Sequence, residues 1–511
     1  MSLMPVSPET SATPLIRERS PESEPGDLAS IVLVGLITAG GAVLRFLYLD
    51  RKSFWLDEGV SVAIARLDRE NLFRILWRRE ANMALYYGLL RGWMHFGATE
   101  FFVRSLSVIF SVATIPLIYL LGSRLFGRRE GLIAALLLSV HAWHVRYAQE
   151  ARSYSLFIAL VCLSFLFFLR IVERPNRRNS ILYVLFSALA VYSHLFAIPV
   201  LLSQWAAFYL LPLENAARRR FLRSIQIIFL IISPLMIFVL FRGLGPINWI
   251  SQPGMAELHQ FGLFLSGNRG NVLLVLYIAC AIFAIYSAER SSRSNKDPQE
   301  FWRHLLVAMW LLVPIVLTLG FSLIKSVFLP RYLVMCIPAL VLLAASGLSR
   351  LRPRWVAALV LAAMLGFSGR GLQSYYHADF DIAREDWRGA TQYLLNHSLP
   401  EDGVLFHSAQ ARMPFEYYAN SQIGRRQIKV IFPASADKLT YRDFLANAKN
   451  APLAESAGQY RRIWMVLAHN QLKDGRSDLT TGKIEDVLGR KYILRSRVDF
   501  SGGIVIVLYG N

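Results

Sequence analysis

The sequence predicts a polytopic α-helical membrane protein that carries a C-terminal α/β domain. Of the 511 residues, 54% are hydrophobic, 13% are aromatic and only 18% are charged, a balance too apolar for a soluble protein of this size. The chain also contains a series of hydrophobic runs long enough to cross a bilayer. After Gly371 the pattern becomes mixed and polar for about 140 residues, which is the size of one domain.

The first 27 residues are rich in Pro, Ser and Glu and show no periodicity, so residues 1–27 are expected to form a disordered cytoplasmic tail. No short apolar segment with a small-residue cleavage site precedes the first hydrophobic run. That run is therefore interpreted as a retained signal anchor. It opens a transmembrane domain predicted to extend over 28–371.

About eleven spans are predicted within this domain. Their limits are 28–49, 101–123, 131–148, 153–172, 180–194, 196–213, 224–243, 271–287, 304–325, 328–348 and 355–371. Arginine clusters, such as the one at 218–223, lie in the connections and are expected to face the cytoplasm. The first outer loop, 50–102, contains a short aromatic segment at 85–96 that is expected to lie in the membrane interface and not to span.

This topology places the C-terminal domain, 372–511, on the extracytoplasmic side. Helices are predicted there at 387–396, 441–448 and 483–489, and strands at 403–407, 427–432, 462–468, 492–498 and 503–509. Alternating helices and strands predict a small α/β domain. It has no glycine-rich phosphate loop that would mark a nucleotide site.

The net charge of +20 does not predict nucleic-acid binding, because many of the arginines lie in short clusters between hydrophobic runs. The first outer loop is itself basic, which anionic headgroups or a phosphorylated ligand would balance. Cys162, Cys280 and Cys336 all fall in apolar runs. No disulfide framework or thiolate metal site is predicted, and the cysteines are expected to be small core residues.

Two adjacent carboxylates, Asp57 and Glu58, follow the first hydrophobic run. One interpretation makes Asp57 only the N-cap of a helix over 59–67, with Glu58 in the first turn. The functional hypothesis is that Asp57, held at the membrane surface, acts as general base toward an acceptor hydroxyl. Neighbours on a helix point about 100° apart, so the pair is not expected to grip one metal ion together.

A second polar segment lies between two hydrophobic runs and contains His144, Arg146, Glu150, Arg152 and Tyr154. Glu150 either pairs with Arg146, one helical turn before it, or contacts a substrate. Ionisable groups at the ends of spans are cheaper than groups at the bilayer centre, which weakens a functional interpretation of each one alone. The density of polar groups in this segment favours substrate contact.

Further candidates lie at two outer turns. Arg331, with Lys325 nearby, either snorkels to headgroups or holds a lipid phosphate with its paired donors. His194 either caps a tight turn or binds ligand. The carboxylates and histidines leave a divalent cation open, although they show no spacing such as His-Glu-x-x-His, and no other cofactor is predicted.

Together these residues resemble the motifs of the GT-C membrane glycosyltransferases, in the bacterial branch similar to protein O-mannosyltransferases and the lipid A aminoarabinose transferase. The resemblance covers roughly 28–348 and rests on the segments 55–58, 147–154, 192–194 and 330–332. It departs from the family at 82–84, where Asn-Met-Ala stands in place of the usual Pro-Pro. In the family's acidic motif, which 55–58 resembles, the Asp is the catalytic base.

The resemblance implies transfer of a hexosyl or pentosyl unit from a polyprenyl-phosphate carrier to an acceptor hydroxyl, with inversion, on the outer face of the bacterial inner membrane. The acceptor is a lipid, a glycan or a protein, and membrane lipids surround the site. The predicted roles are catalysis for Asp57 and Glu58 and donor-phosphate binding for Arg331, Lys325 and Arg152. Substrate contact is predicted for a larger set: Glu150, Tyr154, His194, Tyr332, Arg146 and His144.

Two other classes of protein remain open at this point. A transporter or lipid flippase would also have many spans and buried polar residues, and would be favoured by inverted repeats with broken helices. The sequence contains no convincing internal repeat. A non-catalytic membrane scaffold, whose exported domain binds cell-envelope material, would show no consequence of Asp57→Asn beyond stability.

Overall fold

A computed structural model gives the fold. It describes residues 26–210, 215–243, 250–267, 270–294, 297, 299–377, 385–420, 429–433, 439–446, 455, 458–470 and 478–511. The tail predicted over 1–27 lies almost entirely outside the described residues and stays a prediction.

The membrane part is built from sixteen α-helices within the described residues. They are α1 (Gly26–Phe46), α2 (Leu56–Arg66), α3 (Arg69–Ile75), α4 (Ala84–Trp93), α5 (Glu100–Leu125), α6 (Arg128–Ser139), α7 (Ala142–Ala148), α8 (Tyr154–Glu173), α9 (Arg177–Ser193), α10 (Ala197–Tyr209), α11 (Asn215–Arg242), α12 (Met255–Ser266), α13 (Asn271–Arg293), α14 (Glu300–Ser322), α15 (Ile337–Arg350) and α16 (Arg354–Tyr376). A 3₁₀ turn, Pro330–Cys336, leads into α15.

Eight segments of the described chain are long and apolar enough to cross a membrane. They are Leu28–Phe46 in α1, helices α5, α8, α11, α13 and α14, the segment Pro330–Arg350, and α16. Residues of Pro330–Arg350 are almost all buried, whereas α1 exposes most of its apolar surface. The segment Pro330–Arg350 is therefore central in the bundle, and α1 is peripheral, with apolar surface suited to contact with lipid.

Three other predicted spans are helical but shorter. The run 131–148 is divided between α6 and α7, which has His141 as its N-cap. Helix α9 has 17 residues and α10 has 13. At a rise of about 1.5 Å per residue these helices fall short of the roughly 30 Å hydrocarbon layer. The count of about eleven spans therefore stays a prediction.

The first outer loop folds into helices α2, α3 and α4. Helix α4 contains residues 85–93 of the segment predicted to be interfacial, and its 10 residues are too few to span a bilayer. Helix α3 begins after Asp68, whose side chain accepts the backbone N–H of Asn71 at 2.8 Å. Helix α5 begins in the same way after Thr99, whose hydroxyl accepts from Phe102.

The C-terminal domain has a five-stranded sheet in the order β2-β1-β3-β5-β4. The strands are β1 (Gly403–Phe406), β2 (Lys429–Phe432), β3 (Arg462–Ala468), β4 (Ile493–Phe500) and β5 (Ile504–Gly510). Strand β1 pairs in parallel with β2 and β3, whereas β5 is antiparallel to β3 and β4. Three α-helices accompany the described part of the sheet: α17 (Trp387–His397), α18 (Arg412–Asn420) and α19 (Leu479–Gly489). The predicted α/β class is confirmed.

Two elements of this domain differ from the prediction. The helix predicted at 441–448 is only a short 3₁₀ turn, Tyr441–Phe444, among the described residues. Helix α18 was not predicted, because it mixes polar and aromatic residues that are nearly all buried against other elements. Tertiary packing, and not a helical hydrophobic period, explains its formation.

Helix α18 packs against α2, so the domain is docked on the first outer loop. The phenol of Tyr418 accepts the backbone N–H of Phe54 at 2.6 Å, and the phenol of Tyr417 donates to the carbonyl of Ala98 at 2.8 Å. The carboxylate of Glu385 accepts the backbone N–H of Leu56 at 2.7 Å. These contacts fix the domain directly over the helix that carries Asp57 and Glu58.

Candidate active site

Helix α2 begins one turn earlier than the sequence predicted, at Leu56, with Trp55 as its N-cap. Asp57 is therefore the second residue of the helix, and the interpretation of Asp57 as N-cap is wrong. The Glu58 carboxylate accepts the backbone N–H of Trp55 at 3.4 Å. Glu58 is therefore the residue that caps the start of the helix. Capping by Glu58 leaves the Asp57 carboxylate outside the helix's own hydrogen bonds.

Asp57 faces two guanidinium groups from different parts of the membrane domain. Its Oδ2 lies 3.6 Å from Nη2 of Arg152 and 3.9 Å from Nη2 of Arg331. The Asp57 side chain is 28% exposed, so its carboxylate is accessible to solvent. The three residues come from α2, from the loop before α8 and from the 3₁₀ turn before α15. The structure thus brings together three residues that the sequence proposed for one site.

Arg152 is held toward Asp57 by two further contacts. Its Nη1 donates to the carbonyl of Asp57 at 3.4 Å and to the hydroxyl of Ser61 at 3.2 Å. Burial alone would lower the pKa of Arg152, but the charge of Asp57 and the nearby phenols outweigh burial and leave that pKa above its ordinary value. The guanidinium therefore remains a fixed positive charge beside Asp57.

Glu58 points into a different environment, as expected for adjacent residues on a helix. Its carboxylate forms a bidentate ion pair with Arg104 of α5, with N···O distances of 2.8 and 2.7 Å. It also accepts the backbone N–H of Ala151 at 2.8 Å. Only 1% of the Glu58 side chain is exposed. This carboxylate joins α2, α5 and the second polar segment, and it also contributes to the cavity described next.

The second polar segment contains the ion pair between Arg146 and Glu150 that was one of the two interpretations of Glu150 from the sequence. Arg146 and Glu150 lie 3.3 Å apart, one helical turn from each other. Both line a cavity of about 560 Å³ that also includes Arg331. The C-terminal domain supplies the other wall of this cavity with Glu385 and His469. The pair is therefore both structural and available to a ligand in the cavity.

Aromatic rings pack against one another beside the site. Tyr154 packs against Tyr147 with ring centroids 4.8 Å apart, and Tyr332 packs against His194 at 5.0 Å. The Nδ1 atom of His194 accepts the backbone N–H of Phe196 at 3.2 Å, so this histidine caps its turn. An aromatic wall near Asp57 is thus formed by Tyr154, His194 and Tyr332.

One predicted site residue has a different environment. His144 is buried beside α1, where its Nδ1 lies 2.7 Å from Nη2 of Arg45 and 3.1 Å from the hydroxyl of Ser111. This contact positions a buried arginine. Lys325 follows the end of α14, and its role at the donor phosphate stays a prediction.

Among the cavity residues that the sequence did not predict are His469 and Glu385 of the C-terminal domain. His469 follows β3, and its Nε2 lies 2.8 Å from the Glu385 carboxylate. The hydrogen bond to Glu385 raises the pKa of His469, and burial offsets only part of this. The two residues are 84 positions apart, and neither belongs to a recognisable motif. The unusual backbone of His469, with φ of 53°, is visible only in the structure.

No group of three or more His, Cys, Asp or Glu side chains among the described residues is arranged to hold a metal ion. The divalent cation that the sequence left open therefore has no candidate ligand set in that part of the chain. Arginine, histidine and phenol groups dominate the surroundings of Asp57. Such an arrangement suits an anion facing a carboxylate, because guanidinium groups present paired donors to phosphate oxygens.

The fold resembles that of the GT-C membrane proteins, as the sequence motifs indicated. ArnT from Cupriavidus metallidurans, in the apo state, aligns with a TM-score of 0.62 and 14% identity over 94% of this chain and 98% of that chain. The same protein bound to undecaprenyl phosphate aligns with a TM-score of 0.60 and 15% identity, over 93% and 97%. The archaeal oligosaccharyltransferase AglB from Archaeoglobus fulgidus aligns with a TM-score of 0.53 and 11% identity, over 86% and 69%.

At the sequence level, residues 89–242 match the model of the family described as dolichyl-phosphate-mannose-protein mannosyltransferase. This match covers helices α5 to α11 and the last part of α4, and so includes the second polar segment. Comparison with curated protein sequences gave no match. The resemblance to the GT-C glycosyltransferases is confirmed.

Proposed function

We propose that this protein is a membrane glycosyltransferase that moves a sugar from a polyprenyl-phosphate carrier to an acceptor hydroxyl. The observation that carries the proposal is the Asp57 carboxylate lying between Arg152 and Arg331, at 3.6 and 3.9 Å. A base and two phosphate-binding groups therefore meet at one point. The point lies just outside a span, where a lipid-linked donor presents its phosphate and sugar.

The donor would bind with its polyprenyl tail in the bilayer and its phosphate at Arg331 and Arg152. Both guanidinium groups now face Asp57, and a donor phosphate would take over their charge. The sugar would then lie beside Arg331, at the edge of the cavity between the membrane domain and the C-terminal domain. The phenols of Tyr154 and Tyr332 lie close enough to Arg331 to act on it electrostatically, and they would border the sugar on the membrane side.

In the reaction, Asp57 accepts the proton of the acceptor hydroxyl as its oxygen attacks the anomeric carbon of the sugar. The bond between that carbon and the phosphate oxygen breaks, and polyprenyl phosphate departs with the electron pair. Arg152 and Arg331 stabilise the negative charge that develops on the leaving phosphate. A single displacement of this kind inverts the configuration at the anomeric carbon.

The comparisons support the class of carrier. One of the similar structures is described as bound to undecaprenyl phosphate and another as complexed with dolichol phosphate, and the family model is named for a dolichyl-phosphate sugar. We propose that the C-terminal domain lies on the extracytoplasmic face of the bacterial inner membrane and that the acceptor is reached there. The experiment below decides between a hexosyl and a pentosyl unit, and between lipid, glycan and protein acceptors.

The test is transfer of radiolabelled sugar from a panel of polyprenyl-phosphate sugars to envelope extract by purified wild-type protein and Asp57→Asn. Binding of undecaprenyl phosphate is measured for both proteins. We expect transfer by the wild type alone, with similar binding by the two. Equal transfer by Asp57→Asn would refute Asp57 as base, and wild-type inactivity with every donor would favour a transporter or a scaffold.

A further inference from the structure

The C-terminal domain presents one imidazole to the cavity that contains Arg331. His469 comes directly after β3, at the carboxyl end of a strand that runs parallel to β1. The carboxyl edge of parallel strands is where α/β domains usually meet their ligands. His469 lines the cavity wall, and 51% of its side chain is exposed. The domain thus contributes a polar group to the space where the acceptor would arrive.

A buried carboxylate orients this imidazole. Glu385, with a side chain only 2% exposed, binds Nε2 of His469 through Oε1 at 2.8 Å. Through Oε2 it accepts the backbone N–H of Leu56 at 2.7 Å and the indole N–H of Trp387 at 2.5 Å. One carboxylate therefore fixes His469 relative to the first turn of α2, which contains Asp57. Because Nε2 is engaged, Nδ1 is the nitrogen that remains for a ligand as far as the described residues show.

The backbone at His469 is also unusual. Its φ of 53° lies in the left-handed region, which non-glycine residues seldom adopt. Such conformations carry a cost and persist where the surrounding structure fixes them, often at functional sites. His469 lies where β3 ends at the cavity. The residue with the unusual backbone is therefore also a residue of the cavity lining.

The charges around His469 come from several elements. Glu385, Asp57 and Arg331 act on it electrostatically. Other charged groups on the cavity wall are matched, Arg104 with Glu58 and Arg146 with Glu150. Arg51, Lys52 and Asp386 complete the charged lining. The carboxylate of Glu385 is the group in direct contact, so it controls the protonation of His469.

We propose that His469 is a substrate-contacting residue that donates a hydrogen bond from Nδ1 to the acceptor and orients its hydroxyl toward Asp57. In this arrangement the imidazolium donates from Nε2 to Glu385 and from Nδ1 to an acceptor oxygen. The C-terminal domain is then part of the catalytic unit and sets acceptor specificity. This inference rests on the proposed function and adds the acceptor side to it.

The pH dependence follows from the contact with Glu385. Because that contact raises the pKa of His469, the donating form persists above the ordinary imidazole range and is lost as pH rises through the raised value. Acceptor use, measured as kcat/KM, should therefore fall on the alkaline side. Replacing Glu385 by Gln removes the negative charge and should move this fall to lower pH.

The experiment measures transfer by the full-length protein with envelope extract as acceptor at a series of dilutions, over a pH range. Undecaprenyl phosphate binding is the separate measure of the donor site. His469→Gln keeps a group near Nε2 and loses the Nδ1 donor, so the apparent KM for extract should rise by roughly 10- to 100-fold. His469→Asn places an amide N–H near Nδ1 and suits a positive φ, so it should retain most activity without the alkaline fall. His397→Gln, at an exposed histidine of α17, is the matched control.

The inference is supported if KM for the extract rises in His469→Gln while undecaprenyl phosphate binding is unchanged. It is overturned if His469→Gln and Glu385→Gln transfer with wild-type KM and pH profile, in which case the proposed function still stands. It is also overturned if every His469 variant loses undecaprenyl phosphate binding together with activity, because the residue is then structural. Inactivity of the wild type would remove the proposed function and this inference with it.

Discussion

Gly59 of α2 and Pro414 of α18 are in such close contact that a Cβ added at Gly59 would lie 2.7 Å from Pro414 atoms. Gly59 follows Glu58 directly, so the docking surface of the C-terminal domain lies within one turn of Asp57. The glycine is required here by close approach of two helices and not by backbone conformation. Gly59 therefore links the position of α2 to the docking of the C-terminal domain.

Gly59→Ala should push the domain away from α2, at a cost of about 1 to 3 kcal/mol for overpacking. We expect a lower unfolding temperature, faster proteolytic release of the C-terminal domain and at least a tenfold loss of transfer. Gly88→Ala in α4 is the control, since nothing lies within 4 Å of a Cβ at that position. Unchanged proteolysis in Gly59→Ala would show that the two helices separate without cost.

Glu58 and Asp57 should behave differently although they are adjacent. Glu58→Gln leaves the buried Arg104 without its charge partner, and breaking a buried pair in this way costs about 3 to 5 kcal/mol. We expect Glu58→Gln to lower the unfolding temperature in detergent strongly, whereas Asp57→Asn unfolds like the wild type and is inactive. A stable but inactive Glu58→Gln protein would instead support the catalytic role that the sequence predicted for it.

Arg331 and Arg152 should determine donor affinity. Alanine at either position removes a charged contact to phosphate, so the Kd for undecaprenyl phosphate should rise by roughly 10- to 100-fold, and the wild-type affinity should fall with added salt. Arg331→Lys should recover only part of the affinity, because an ammonium lacks the paired donors. Arg497→Ala, at an exposed position far along the chain in β4, is the control. Equal Kd values for Arg331→Ala and Arg497→Ala would contradict the assignment.

His144 should matter for stability and not for substrate use. Its ring contacts Arg45, which has 0% exposure and also donates to the carbonyls of Gly41 and Ser139. We expect His144→Ala to lower the unfolding temperature and to leave the KM for donor and acceptor within about twofold, since a lost buried hydrogen bond costs about 1 to 3 kcal/mol. A selective change in either KM would restore His144 to the substrate site.

Much of the fold could be predicted because lipid imposes a simple rule on a spanning helix: its length and its apolar composition must match the bilayer. The long runs at 101–123, 153–172 and 271–287 correspond to α5, α8 and α13 for that reason. The shorter helices α9 and α10 are harder to assign, since 17 and 13 residues fall short of the thickness of the bilayer. Helix α18 was missed because its burial depends on α2, which is more than 300 residues away in the chain.

The sequence by itself determined the membrane class, the α/β domain and the presence of Asp57, Arg152 and Arg331 as candidates, because hydropathy and local motifs are properties of neighbouring residues. Only the tertiary structure decided which candidates meet. It placed Glu58 on Arg104 and His144 on Arg45, and it brought His469 from the C-terminal domain to the cavity. Ion pairs and hydrogen bonds act over a few ångströms, so partners 46, 84 or 99 residues apart are found only once the chain has packed.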